Sequence, residues 1–189
     1  MRKLLGLGLA FGLITTASPA EGQLDGRLSA EPFVGYGFFG ELSDSDVELE
    51  ADLMLGGRVA YELAPQWSVF GTVQRSSPSV SGSIGPVEIE EGEIVVYHWS
   101  VGGEFSYVPR GGAEGMLPIL IEAGIGQARY EDPFDFSDLA VNLGIASALQ
   151  LSDFVAVRFG ANDYISNYGE SDFGVVNQVF VRVGAELSF

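Results

Sequence analysis

The last stretch of the chain, Val175–Phe189, reads VVNQVFVRVGAELSF and decides the predicted fold. Counted back from Phe189 as far as Val179, every second residue is apolar, and the residues between them are mostly polar or small. This period of two predicts a β-strand with one apolar face and one mostly polar face. Arg182 and Glu186 put charge in the middle of the polar face. An apolar outside around a polar inside is typical of a transmembrane β-barrel.

The first 20 residues have the pattern of a secretory signal peptide. Arg2 and Lys3 precede an apolar run from Leu4 to Ile14, and small residues lead to Ala20. The apolar run is too short to cross about 30 Å of hydrocarbon as a helix. We therefore predict a signal peptide at 1–20 and a single exported domain at 21–189.

Composition excludes several classes of protein. The chain has no cysteine, so it forms neither disulfides nor thiolate metal sites. Its formal net charge of −17 disfavours nucleic-acid binding, which depends on Lys and Arg meeting phosphate. We predict no cofactor and no metal centre.

The segment after the leader consists of alternating runs separated by Gly, Pro, Asp and Ser clusters, the pattern of strands and turns. Short and long connections alternate between the runs, as in outer-membrane barrels with their long loops outside the cell. The predicted fold class is all-β, an eight-stranded antiparallel up-and-down transmembrane β-barrel. The eight predicted strands are 28–39, 52–64, 67–76, 93–108, 117–130, 138–150, 154–165 and 175–189.

The C-terminal strand resembles that of the small outer-membrane β-barrel proteins of the OmpA/OmpX-like group. In those families a terminal Phe after alternating apolar residues is the signal read by the barrel assembly machinery. The resemblance implies the outer membrane of a Gram-negative-type bacterium, with outer-membrane lipids, lipopolysaccharide and periplasmic chaperones as partners. It further implies a monomer with a structural, surface-interaction or adhesion role rather than an enzyme. The residues that match the assembly signal here are Phe189, Leu187, Val183 and Val181.

The alternation also predicts which side chains enter the lumen. Eight charged residues face inward and lie three to seven residues from the short-turn rim. Because an isolated buried charge costs several kcal/mol, we expect a paired network that plugs the lumen. Within it we expect Arg158 beside Glu186 and Glu31 near Arg182. The predicted network comprises Glu31, Arg58, Glu62, Glu104, Glu122, Arg158, Arg182 and Glu186.

His98 and Ser100 are the one pair that could carry out catalysis. A His two residues from a Ser on a strand shares its face, and an H-x-S pair resembles the lipid A deacylases of the PagL type. The alternation turns both side chains into the lumen, whereas such an enzyme works at the outer face. Two alternatives to the structural barrel therefore stay open, a narrow channel for small solutes and a lipid A-modifying enzyme.

The long loops are predicted to collect most of the acidic residues, including Asp52, Asp138 and Asp163. Self-repulsion would keep such loops solvated. Weak binding of a divalent cation is a further possibility at Asp44, Asp46 and Glu48, which lack the turn glycine and spacing of an EF-hand. Aromatic residues near the strand ends are expected to form interface girdles. At the long-loop rim these are Tyr36, Phe38, Tyr97, Tyr130 and Tyr164.

Overall fold

The computed structural model describes residues 27–39, 46–84, 87–108, 117–131, 136–167 and 175–189. The predicted signal peptide and its cleavage site lie outside these ranges. Within them no helix has the length and apolarity needed to cross a membrane. The strands are β1 (Leu28–Phe39), β2 (Asp46–Leu49), β3 (Asp52–Ala64), β4 (Trp67–Ser76), β5 (Ser79–Ile84), β6 (Val87–Glu93), β7 (Val95–Tyr107), β8 (Ile119–Glu131), β9 (Phe136–Gln150), β10 (Val155–Asn167) and β11 (Val175–Ser188).

Eight of these strands close into an antiparallel barrel in the order β1-β11-β10-β9-β8-β7-β4-β3. The barrel closes between its first and last strands, β1 and β11, where Val34 is opposite Val183. On its other side β1 pairs with β3, where Val34 is opposite Leu55. Closure pairs every edge of the sheet, which a strand needs where lipid offers no hydrogen bonds. The predicted eight-stranded up-and-down barrel is confirmed, and all eight predicted strands lie within a few residues of the observed ones.

The two faces of the sheet follow the predicted alternation. Leu55, Val101, Ile125 and Ile145 are more than half exposed on the outer surface. Large exposed apolar side chains continue around the barrel, which is the arrangement that a hydrocarbon environment requires. The short-turn rim carries an aromatic pair, because the rings of Trp67 and Phe105 lie 4.9 Å apart.

Two aromatic residues correct the predicted girdle at the long-loop rim. Tyr130 and Tyr164 are buried in the lumen, each only 1% exposed. Their positions along the strands explain this, since Tyr164 lies an even number of residues from the inward Arg158 and Tyr130 an even number from the inward Glu122. Proximity to a strand end predicts an interface role, but the position of a residue in the alternation of its strand decides which face it occupies.

A second correction concerns the segments predicted as loops between β1 and β3 and between β4 and β7. They contain a three-stranded antiparallel sheet in the order β2-β5-β6. Its strands are four to seven residues long and rich in Ser, Gly and Glu. Such short segments show little alternation, and their composition is that of turns, so the sequence predicts loops there. Asp52, Asp138 and Asp163, which are counted above with the long loops although the predicted strands include them, lie in β3, β9 and β10.

Candidate functional site in the barrel lumen

The lower lumen, near the short-turn rim, holds a cluster of charged side chains that we call the charged layer. Inward positions of β1, β3, β7, β8, β10 and β11 supply these groups because alternation turns every second residue toward the axis. All but Glu186 are buried. The charged layer consists of Glu31, Arg58, Glu104, Glu122, Arg158, Arg182 and Glu186.

Arg158 is the centre of the charged layer. Its guanidinium nitrogens lie 2.6 Å from a carboxylate oxygen of Glu122 and 3.4 Å from oxygens of Glu31 and Glu186. A fourth carboxylate, that of Glu104, accepts a hydrogen bond from Nη2. A guanidinium has five donors in a planar fork, so one arginine can satisfy several acceptors at once.

The other two arginines join the same carboxylates. Arg58 donates to Glu104 over 2.7 Å, and its Nε lies 3.8 Å from Glu122. Arg182 donates to both oxygens of Glu122, over 2.7 and 3.0 Å. Glu122 therefore meets all three arginines, which compensates the cost of taking its charge out of water.

The structure brings together seven of the eight residues of the predicted network, including Arg158 with Glu186. Within the described ranges Glu62 makes no ion pair. It lies at the short-turn mouth, where it lines a pocket with Arg27, Ser29 and Ser68. The carboxylate of Glu62 thus remains in a wetter, half-exposed position beside the layer.

Glu31 lies near Arg182, as predicted, close enough for their charges to interact. Its ion pair is with Arg158 of β10, and the residue of β1 directly opposite Arg182 is Gly35. Glu31 extends over Gly184 of β11, where a Cβ atom would lie 2.7 Å from its Oε1. The glycine therefore makes room for the carboxylate to reach the centre of the layer.

Above the charged layer lies a second cluster, which we call the aromatic–polar layer. The His98 ring lies 4.9 Å from the ring of Tyr164 and 5.0 Å from that of Phe180, measured between centroids. Gln178 donates from Nε2 to the hydroxyl of Tyr130, so its Oε1 accepts from Nε2–H of His98. These contacts hold the imidazole among rings and amides. The aromatic–polar layer consists of His98, Ser100, Tyr130, Asn142, Tyr164, Gln178 and Phe180.

Hydrogen bonds connect the two layers through Asn162. Its amide nitrogen donates to Glu122 over 2.8 Å and to Asn142 over 3.2 Å. Asn142 in turn donates to the Ser100 hydroxyl over 3.1 Å, and that hydroxyl lies 3.2 Å from the Tyr164 hydroxyl. Buried polar groups require such partners, and a connected network orders the side chains that share it.

A cluster of buried apolar residues lies further toward the long-loop rim. Leu49 of β2 packs with Ile94, Val96, Ala128 and Tyr130, and Phe39 packs against them. This contact places part of the extra three-stranded sheet against the end of the barrel interior. Sequence reasoning missed the cluster because it assigned Leu49 to a solvated loop.

The geometry of His98 and Ser100 differs from that of a base and its nucleophile. Both side chains are buried, 0% and 1% exposed. The hydroxyl of Ser100 is bonded to Asn142 and Tyr164, while His98 is bonded to Gln178. A nucleophilic serine needs the base within hydrogen-bond reach of its hydroxyl.

The predicted assembly-signal residues all lie on the outer surface. Phe189 is 66% exposed, and Leu187, Val183 and Val181 are each at least 40% exposed. The backbone N–H of Phe189 donates to the carbonyl of Leu28 over 2.8 Å, which fixes the end of the chain to β1. The possible cation loop cannot be placed in the same way, because Asp44 and the side chains of Asp46 and Glu48 lie outside the described part. Among the described residues no cluster of His, Asp and Glu could hold a metal ion.

Comparison with known proteins supports the class of fold. No family model matches the sequence, and no curated protein matches it. Solved structures with the same fold include the outer membrane protein OprG from Pseudomonas aeruginosa, at 12% identity over 87% of this chain and 95% of that one, with a TM-score of 0.56. The outer membrane protein AlkL in lipid bilayers is similar at 15% identity, 87% and 90% coverage and a TM-score of 0.56. Neisserial surface protein A is similar at 10% identity, 89% and 100% coverage and a TM-score of 0.55.

The closed sheet, the apolar outer surface and these neighbours define the class. The chain has the fold of the small eight-stranded outer-membrane β-barrels of the OmpA/OmpX-like kind. This agrees with the resemblance found in its C-terminal strand and with its predicted location in an outer membrane.

Proposed function

We propose that this protein is a structural and surface-interaction barrel of the outer membrane whose lumen is plugged by its own side chains. The charged layer is the observation that carries the proposal. Arg158 is joined to four carboxylates from four different strands, so the ion pairs tie opposite walls of the barrel together. An eight-stranded barrel has an interior just wide enough for side chains to fill.

A solute that crossed the lumen would have to separate these pairs. Breaking a buried pair leaves an uncompensated charge, at a cost of about 3–5 kcal/mol. The aromatic–polar layer and the apolar cluster around Leu49 present two further barriers above it. The pocket lined by Arg27, Glu62 and Ser68 opens at the short-turn mouth, and the charged layer forms its inner side.

Liposome swelling tests this proposal against the narrow-channel alternative. Liposomes carrying the refolded protein should swell in isotonic glycine or arabinose no faster than empty liposomes. Swelling that rises in proportion to the amount of barrel would support the channel instead. A large porin, reconstituted in parallel, serves as the positive control.

We further propose that the barrel is not an enzyme of the lipid A deacylase type. The partners of Ser100 and His98 described above support a structural role for both residues. Expression of the Ser100→Ala variant should leave the mass spectrum of cellular lipid A identical to that of the wild-type strain. Deacylated lipid A that disappears with this substitution would favour the enzyme.

The partners of a structural barrel are those of its surroundings. We propose outer-membrane lipids and lipopolysaccharide on the outer surface, and the barrel assembly machinery and periplasmic chaperones during biogenesis. The exposed apolar face of the strand that ends at Phe189 supports recognition by the assembly machinery. We propose a monomer, since the barrel closes its own sheet without a second chain.

A further inference from the structure

Basic residues are scarce outside the leader, and the fold separates them. After Lys3 the chain contains seven arginines and no lysine. Three lie in the charged layer, Arg27 precedes β1 at the short-turn rim, and Arg110 belongs to the connection between β7 and β8, outside the described residues. Only Arg75 and Arg129 remain, and both are exposed on the outer surface near the long-loop rim.

These two arginines lie in one row across three neighbouring strands. Arg75 of β4 is opposite Tyr97 of β7, and Tyr97 is opposite Arg129 of β8. The Arg75 guanidinium lies 6.0 Å from the centre of the Tyr97 ring. Adjacent strands are about 4.8 Å apart, so the backbones of the two arginines are about 10 Å apart. We call Arg75, Tyr97 and Arg129 the basic row.

The basic row lies where the outer surface changes character. Two residues lower, the Trp99 indole donates to Gln127 over 3.2 Å, and Gln127 donates to Ser137 over 3.0 Å. Below them, Val101 and Ile125 are 53% and 61% exposed and belong to the apolar belt. Trp, Tyr and Arg just beyond an apolar belt mark the headgroup level of a membrane.

Arg129 already has a partner on this surface. Its Nε lies 3.2 Å from a carboxylate oxygen of Glu131, and both side chains are about half exposed. Exposed pairs of this kind contribute about 0–1 kcal/mol, so a stronger acceptor can compete for the guanidinium. A phosphate is such an acceptor, because it takes two parallel hydrogen bonds from the arginine fork.

We propose that the basic row binds the phosphate of an anionic glycolipid headgroup in the outer leaflet. The proposal rests on the outer-membrane location proposed above and names a site for its lipid partner. An acidic chain repels anionic lipid over most of its surface, so contact requires a place where positive charge dominates locally. The guanidinium of each arginine binds a phosphate, while the neighbouring Trp99, Gln127 and Ser137 can meet acyl chain and sugar hydroxyls.

Lipid retention measured by native mass spectrometry tests the site. Wild-type barrel released from nanodiscs of phosphatidylcholine doped with lipid A should retain lipid A. The double variant Arg75→Gln/Arg129→Gln should retain it about tenfold more weakly, which corresponds to about 1.4 kcal/mol. Arg27→Gln/Arg110→Gln removes the same charge elsewhere and should retain lipid A as the wild type does. Heat-dependent gel mobility confirms that each variant is folded.

Two further arms identify the ligand. Dephosphorylated lipid A should be retained no better than phosphatidylcholine, and inorganic phosphate should not displace bound lipid A. Equal losses in the two double variants, or equal retention of the dephosphorylated lipid, would overturn the proposal. Displacement by inorganic phosphate would also overturn it, in favour of free phosphate. Lipid retention and liposome swelling are independent measurements. The proposed lipid site can therefore be disproved without affecting the proposal that the lumen is plugged.

Discussion

The charged layer and the aromatic–polar layer fill the same barrel in different ways. In the lower layer three arginines meet four carboxylates, and Arg158 alone contacts all four. In the upper layer the rings of His98, Tyr164 and Phe180 occupy the lumen, with centroids 4.9–5.7 Å apart. The charged layer is stabilised by ion pairs, whereas the aromatic–polar layer is stabilised by ring packing and by hydrogen bonds between neutral groups. Substitutions should therefore be far more costly where they leave a charge unpaired.

The largest effect is expected for Arg158→Leu. The substitution leaves carboxylates on four strands without their central partner, so the free energy of unfolding should fall by about 3–5 kcal/mol. Arg129→Leu is the matched control, since it removes the same side chain from an exposed pair and should cost about 1 kcal/mol or less. Urea titrations in detergent or lipid measure both. Losses of similar, small size would mean that the charged layer does not hold the walls together.

A smaller effect is expected in the upper layer for Phe180→Leu. The side chain remains apolar and loses only part of its volume, so the loss should be about 1–2 kcal/mol. Phe159→Leu on the lipid-facing side of β10 is the control, because lipid can fill the space that it leaves. If Phe180→Leu costs as much as Arg158→Leu, the contrast between the layers is wrong.

Tyr164→Phe isolates one hydrogen bond of the aromatic–polar layer. The ring stays in place while the hydroxyl that lies 3.2 Å from the Ser100 hydroxyl is lost. We expect a loss of about 1 kcal/mol in the free energy of unfolding. A double-mutant cycle with Ser100→Ala should give a coupling energy of similar size. A coupling near zero would show that the two hydroxyls do not interact.

The smallest effect is expected for Glu62→Gln. Glu62 is half exposed and makes no ion pair within the described ranges. Replacing its carboxylate with a neutral amide should therefore change the free energy of unfolding by less than about 0.5 kcal/mol. Glu104→Gln, which weakens the pairs with Arg58 and Arg158, should cost clearly more. Equal losses would place Glu62 in the network after all.

The sequence predicted the barrel well because alternation is a local signal. Each strand carries its own period of two, and the apolar outer face fixes the register, since a slip of one residue would turn it inward. The same parity placed the three arginines and their carboxylates in the lower lumen. Parity and strand order also place Glu31 near Arg182, but they do not reveal its ion pair with Arg158, which depends on how far side chains reach across the lumen and on the space above Gly184.

The upper half of the interior was less predictable. The nearness of Tyr130 and Tyr164 to strand ends predicts a place in the girdle, whereas their parity indicates the lumen. The sheet of β2, β5 and β6 was missed because short strands with Ser, Gly and Glu have little intrinsic signal, and pairing between distant segments stabilises them. Leu49 is buried against Ile94, Val96, Ala128 and Tyr130, which are distant in sequence, so no local pattern reveals its burial.

Single-channel recording in planar bilayers tests the central claim most directly. Inserted wild-type barrel should be electrically silent in molar potassium chloride, because the charged layer blocks the lumen. A large porin, recorded in the same bilayers, should give clear current steps and serves as the positive control for insertion. Steady cation-selective current through the wild-type barrel would contradict the account.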